Sequence, residues 1–253
     1  MSFDIKPAGH ELAYGHAPFP FVAVDGASAM ATYAGLRAGW QDASPVIWGT
    51  SEEASRLFEL YGEEPENTAE ASLAAAKGKS AAELMDAHSA ARYASLAAWY
   101  AKRGETAPKV EDELPPRGAW PQDAYPHQVP LSLIDVVTGR PKEEVLIGLV
   151  PTVRTWEIPA FHGFGDWNAC PSPSIHVAIA REWAERYGAR LIANTSDVIE
   201  FEVERPIASR DEALAVAELQ YRYCGDIVHQ GTGTIEALAA SLIGAKYWFF
   251  WWD

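Results

Sequence analysis

From Ile199 to Glu204 apolar and acidic residues alternate, with Ile199, Phe201 and Val203 set against Glu200, Glu202 and Glu204. Side chains on a strand point alternately to its two faces, so this period of two predicts a half-buried strand with a solvated row of carboxylates. The flanking segments follow a helical period. Behind Ser172-Pro173, Ile175, Ile179, Trp183 and Tyr187 form one stripe, with Pro at the first helical position and Gly188 as the stop. Ser209-Arg210-Asp211-Glu212 reads as a capping box opening a helix to about residue 223, and residues 235–243 form another before Gly244. Tyr247 to Trp252 is wholly aromatic and reads as the closing strand. Its side chains must divide between two faces, Trp248, Phe250 and Trp252 on one, Tyr247, Phe249 and Trp251 on the other. A central strand covered on both sides is expected, with Trp248 and Phe250 in the core.

The first half reads differently. Phe21 to Val24 and Pro45 to Gly49 are short apolar strands separated by a helix over residues 28–38, which suggests parallel pairing through a crossover. Thr50-Ser51-Glu52-Glu53 and Ser80-Ala81-Ala82-Glu83 are capping boxes, the first opening a helix stopped at Gly62. Met85, Ser89, Tyr93, Leu96 and Tyr100 follow the second on one stripe, with His88 beside it as a structural residue. Residues 105–128 carry five prolines and the acidic cluster Glu111-Asp112-Glu113 and read as a linker, on which Trp120 and Tyr125 suggest packing. Val129 to Val137 and Glu144 to Val150 are strand-like, joined by a hairpin at Thr138-Gly139-Arg140-Pro141, and a loop follows from Pro151 to Ser172. The fold class is therefore α+β: a smaller α/β region over 1–104, the linker at 105–128, and an α+β domain over 129–253. The last is expected to carry a mainly antiparallel sheet with helices on one face, in a ferredoxin-like, split βαβ arrangement.

Composition narrows the function classes. Across 253 residues, 48% are hydrophobic and 22% charged, as in globular proteins. The formal charge of −15 argues against a nucleic-acid reader and an anionic membrane surface, both of which call for basic faces. Seven Glu against one Arg in residues 52–70 make a basic protein partner the expected class. Two cysteines make no disulfide framework, and with no basic-then-apolar leader or long apolar run a cytoplasmic protein is expected.

One set of motifs stands out: Val150-Pro151-Thr152, Trp156-Glu157-Ile158-Pro159-Ala160, Gly163-Phe164-Gly165-Asp166-Trp167-Asn168-Ala169-Cys170-Pro171, Arg205-Pro206, Gln220-Tyr221-Arg222-Tyr223-Cys224, and the aromatic end with Asp253. Over about residues 145–253 the chain resembles the bacterial family described as a domain of unknown function, DUF4253. Asp166 stands where that pattern has a small residue, often Gly. The resemblance implies no established activity; an immunity-type role beside secreted toxins is an association only.

The loop from Phe161 to Pro171 is the most site-like segment. His162, Asp166, Trp167, Asn168 and Cys170 stand ahead of a helix start, which favours a thiolate or a bound anion. Under the competing reading Trp167 plugs the core, Asn168 ties the loop and Cys170 is a small buried hydrophobe. His162, Asp166, Cys170 and His176 show no metal-ligand spacing, and neither metal nor cofactor is expected. His229-Gln230-Gly231-Thr232-Gly233-Thr234 has neither a preceding strand nor a following Lys and reads as a turn between helices. Most of the aromatic end is expected in the core, with Trp252 or Trp251 near a surface cleft as a candidate binding residue. Two functions remain open: a non-enzymatic acidic protein-binding module of immunity type, or an enzyme or small-ligand binder using residues 161–171. A buried Cys170 favours the first.

Overall fold

The computed structural model describes residues 3–59, 68–107 and 114–253. Strand β1 (Phe21–Val24), helix α1 (Gly26–Gly39) and strand β2 (Ser44–Gly49) come first, followed by α2 (Ser51–Leu57), α3 (Ala69–Ala76) and α4 (Ala81–Ala101). Then come β3 (Val145–Val150), α5 (Ile158–His162), α6 (Pro173–Tyr187), β4 (Arg190–Asn194), β5 (Val198–Glu202), α7 (Arg210–Tyr223), α8 (Ile235–Leu242) and β6 (Tyr247–Trp251). The fold is α+β, as its sequence pattern implies.

The strands form one open sheet in the order β1-β3-β2-β4-β5-β6. Its pairings are antiparallel except β2 with β4, joined at Ile47 and Ala193. The expected β1–β2 pairing does not form, because β3 lies between them and runs against both. The split βαβ unit is therefore built from β1, α1 and β2, not from the C-terminal strands. One sheet joins strands from both sides of residues 105–128, so that boundary does not divide it.

Each strand sorts its side chains by parity. Val46, Trp48, Leu146, Val150, Phe201, Trp248 and Phe250 join the larger core with α6, α7 and α8, while Val22, Ile47, Ile147 and Ile192 face α1 on the other side. Helices α6, α7 and α8 thus share one face, as expected for residues 129–253, while α1 of the N-terminal part covers the other. The α6 stripe is buried as its spacing dictates, and Gly188 closes the helix at φ 61°. Thr50 and Ser80 form full capping boxes. Ser209 caps α7 alone, since Glu212 instead accepts from the Tyr187 hydroxyl.

Two further segments depart from their sequence reading. Residues 129–137 make a short 3₁₀ turn at Leu131–Leu133 in place of a strand. The Asp135 carboxylate accepts from the backbone amides of Val137 and Thr138, which bends the chain and leaves Val136 and Val137 in solvent. Inside the expected loop 151–172, α5 forms behind Pro159. Residues 114–128 are tied along the β6 side: the Pro116 carbonyl accepts from Ile235, Arg117 pairs with Glu218, and the His127 carbonyl accepts from Lys246 and Tyr247. Arg210 lies 4.3 Å over the Trp120 ring, while Tyr125 is exposed. Gly62 and Glu111-Asp112-Glu113 lie outside the described residues. Among the described residues no helix is long and apolar enough to cross a membrane.

Candidate functional site

The 161–171 loop is held by contacts within itself and by one to Asp253. Gly165 has φ 119°, and a Cβ there would fall 1.9 Å from the Pro171 carbonyl oxygen, so only glycine fits. Asp166 and Asn168 occupy left-handed backbone at φ 66° and 47°, which these short polar residues tolerate and which suits a small residue at 166. Both are exposed. The Asn168 amide donates to the backbone carbonyl of Asp253, pinning the loop to the chain end. Half-buried Trp167 packs edge-on against Phe164.

The loop's chemistry is buried and neutral. The Trp48 indole N–H can only donate, so His162 Nε2 accepts from it at 3.3 Å, leaving Nδ1–H to donate to Asn194 Oδ1 at 2.8 Å. Burial lowers the His162 pKa to about 4 and that of His176 to about 3. Cys170 Sγ lies 3.5 Å from His176 Nε2, and the Tyr223 hydroxyl lies 2.7 Å from His176 Nδ1. Phe164, Tyr223 and Trp252 close rings around this histidine. Burial pushes the Cys170 thiol well above its ordinary range, opposite to what an activated nucleophile needs. Cys224 donates to the Trp251 carbonyl, and burial raises its pKa to about 12. Both thiols are therefore expected to resist a neutral-pH thiol reagent until the protein unfolds. Mass spectrometry of Cys170 labelled within minutes in native buffer would refute this.

His162 and Cys170 thus belong to two separate buried networks rather than one site. Trp252 is also buried, against Phe164, His176 and Tyr223, so of the two terminal tryptophans it is not the one at the surface. Its neighbour Trp251 points the other way. His229 pairs with the Tyr221 hydroxyl. Among the described residues, no three of His, Cys, Asp and Glu gather as a metal site would require.

Trp251 lines a cleft of about 320 Å³ over the edge strand β6. Leu131, Ile227, Leu238, Leu242 and Phe249 are among the residues of its wall, and the lining is largely apolar. Sequence reasoning places β6 centrally; as an edge strand it leaves Tyr247, Phe249 and Trp251 half-buried. Gln220 and Trp248 also line the cleft, each almost fully buried. Neither Gln220 Nε2 nor Trp248 Nε1 has an acceptor among the described residues. Such orphaned donors are uncommon in protein interiors. Gly231 lets Trp251 sit close, since a Cβ there would meet the indole at 2.9 Å. Of the cleft residues only Trp251 stands among the expected site residues. The i, i+4 pair Leu238 and Leu242 on α8 was the available signal for the rest.

Glu200 corrects another reading. It is fully buried, where the alternating pattern implies a solvated carboxylate. The Ser132 hydroxyl donates to it at 2.6 Å, and the Leu131 and Ser132 amides donate at 2.7 and 3.1 Å. Burial raises its pKa and these donors pull it back. Its role is to anchor the 131–133 turn, which forms one wall of the cleft.

Residues 146–253 match the model of a family described as Domain of unknown function (DUF4253). The matched stretch includes α7, α8 and β6, and so most of the cleft. No curated protein and no solved structure matches the chain.

Proposed function

We propose that the protein is a non-enzymatic binding module that takes an apolar, basic segment of a protein partner along the β6 edge. The observation that carries this reading is the apolar cleft whose walls hold two buried N–H groups without acceptors. A bound segment offers carbonyl oxygens to such donors and apolar side chains to Phe249, Trp251 and Leu242. An edge strand suits an extended partner, which adds to a sheet by backbone hydrogen bonds. Asp226 and Asp253 stand beside β6, with the Asp253 amide donating to the Asp226 carboxylate, and the chain carries −15 overall. That charge favours encounter with a basic partner. An immunity-type inhibitor of a basic toxin is one protein that works in this way. The buried, neutral state of Cys170 and His176 favours this reading over catalysis at the 161–171 loop.

The test uses the full chain and a fluorescein-labelled ten-residue peptide of alternating Leu and Lys, read by anisotropy. Saturable binding is expected, weakened about thirtyfold by Trp251→Ala, the loss typical of a hot-spot aromatic. The same peptide with Glu for Lys is expected not to bind. Circular dichroism of the variant checks that its fold is intact. Absence of saturation, or binding that survives Trp251→Ala, would overturn the proposal.

A further inference from the structure

A second cavity, of about 280 Å³, lies beside the C-terminal turn of α1 and the first residues of β2 and β4. Its character is the reverse of the β6 cleft. Arg37 and Arg190 line it together with Tyr33, Trp40 and Thr155, and no acidic residue does. In a chain of −15, this concavity has no carboxylate in its lining, although Glu202 pairs with Arg190, so the unbalanced charge there is that of Arg37.

Three observations make this more than a basic spot. Tyr33 is 2% exposed, yet its hydroxyl has no hydrogen-bond partner among the described residues. A buried polar group left in that state is costly unless something else satisfies it. Burial raises the Tyr33 pKa to about 12; the Arg190 and Arg37 charges pull against that rise and the Glu202 carboxylate adds to it, which places both cations and the carboxylate paired with Arg190 within electrostatic reach of the phenol. The two arginines are also held differently. Arg190 is fixed by Glu202 at 2.6 Å and is only 23% exposed, whereas Arg37 is exposed and has no carboxylate partner among the described residues. One cation is therefore oriented in advance and the other is free to close on a ligand.

We infer that this cavity binds a small anion through a carboxylate or phosphate group. The Tyr33 hydroxyl and the two guanidinium groups supply the donors. A guanidinium matches either oxyanion in a two-pronged fashion that a lysine cannot. The indole of Trp40, itself partly exposed, offers a flat surface for an apolar body attached to that group. The volume is near the lower end for small-molecule sites, so the ligand is of metabolite size and not a macromolecule. The site shares no lining residue with the β6 cleft and does not depend on the function proposed there.

The test is calorimetric titration of the full chain with inorganic phosphate and, separately, with benzoate, at low chloride concentration. Saturable 1:1 binding of at least one probe is expected, and the tighter probe identifies the headgroup. Arg37→Ala should weaken it at least tenfold and Tyr33→Phe severalfold. Unliganded Tyr33→Phe should melt at or above the temperature of the parent, because it removes an unsatisfied hydroxyl and keeps the ring. That result separates a ligand-facing hydroxyl from a structural one. Failure of both probes to saturate, binding indifferent to Arg37→Ala, or a Tyr33→Phe protein that melts well below the parent would each overturn the assignment.

Discussion

Gly148→Ala is expected to destabilise the protein by about 3 kcal/mol or more, although alanine is ordinarily the better strand residue. Gly148 sits in β3 opposite Val46 of β2, on the face where the Trp48 indole lies flat. A Cβ at 148 would fall 1.8 Å from Trp48 Cζ2 and 2.1 Å from Cε2. The indole has nowhere to move. It is fully buried, packed edge-on to Phe58 at 5.0 Å, close to Phe21 at 5.9 Å, and bonded through its N–H to His162. Displacing it overpacks the core and strips His162 of a donor, two costs that add. The check is urea denaturation of Gly148→Ala, of Trp48→Leu and of the double variant. The smaller leucine makes room for the new methyl, so the double variant should be more stable than the sum of the two losses implies, by at least about 1 kcal/mol. Strict additivity, or a Gly148→Ala protein as stable as the parent, would show that the indole is not locked against β3.

That pairing also marks where sequence reading stops. Local periodicity was enough for α6, for the capping boxes at Thr50 and Ser80, and for the division of the β6 aromatics, because each of these is decided within a few residues. The order of the strands is not. Nothing near β1 or β2 announces that β3, about a hundred residues on, lies between them. Glu200 fails for the same reason. Its alternation with Ile199 and Phe201 is that of a solvated face, and the Ser132 and Leu131 donors that make its burial tolerable come from 68 and 69 residues away. Gln220 belongs with it: one polar residue in a helix is ordinarily solvated, and here it is buried in the wall of the β6 cleft. The candidate loop shows a subtler limit. Its residue types suit a reactive thiol, but reactivity depends on exposure and nearby charge, and the fold surrounds Cys170 with rings.

The buried histidines make stability strongly dependent on pH. His162 and His176 have native pKa values lowered by burial to about 4 and about 3, against an ordinary value of 6.5. Between those limits the unfolded chain takes up protons that the native protein refuses. Unfolding therefore binds protons, and stability, complete above pH 6.5, falls as the pH drops. Each histidine contributes a slope of at most about 1.4 kcal/mol per pH unit, so near pH 5 the pair gives somewhat less than twice that. Accumulated from pH 7 to 4.5 the loss is about 5 kcal/mol, comparable to the whole stability of many domains. Half-buried His127, also lowered by burial, acts in the same direction. Glu200 opposes it: its raised native pKa means that the unfolded chain releases that proton first as pH rises, so its effect favours the native state toward acid. Asp25, Glu83, Asp135 and Glu236, whose values hydrogen bonding lowers, titrate below the window. Urea denaturation at half-unit steps from pH 7 to 4.5 should show the steep decline. His162→Gln is less stable at pH 7, but its slope should be shallower by about one proton. A parent whose stability is flat between pH 6.5 and 4.5, or a variant that keeps the parent's slope, would mean that His162 is charged in the native protein and that the network joining it to Trp48 and Asn194 is not the one described.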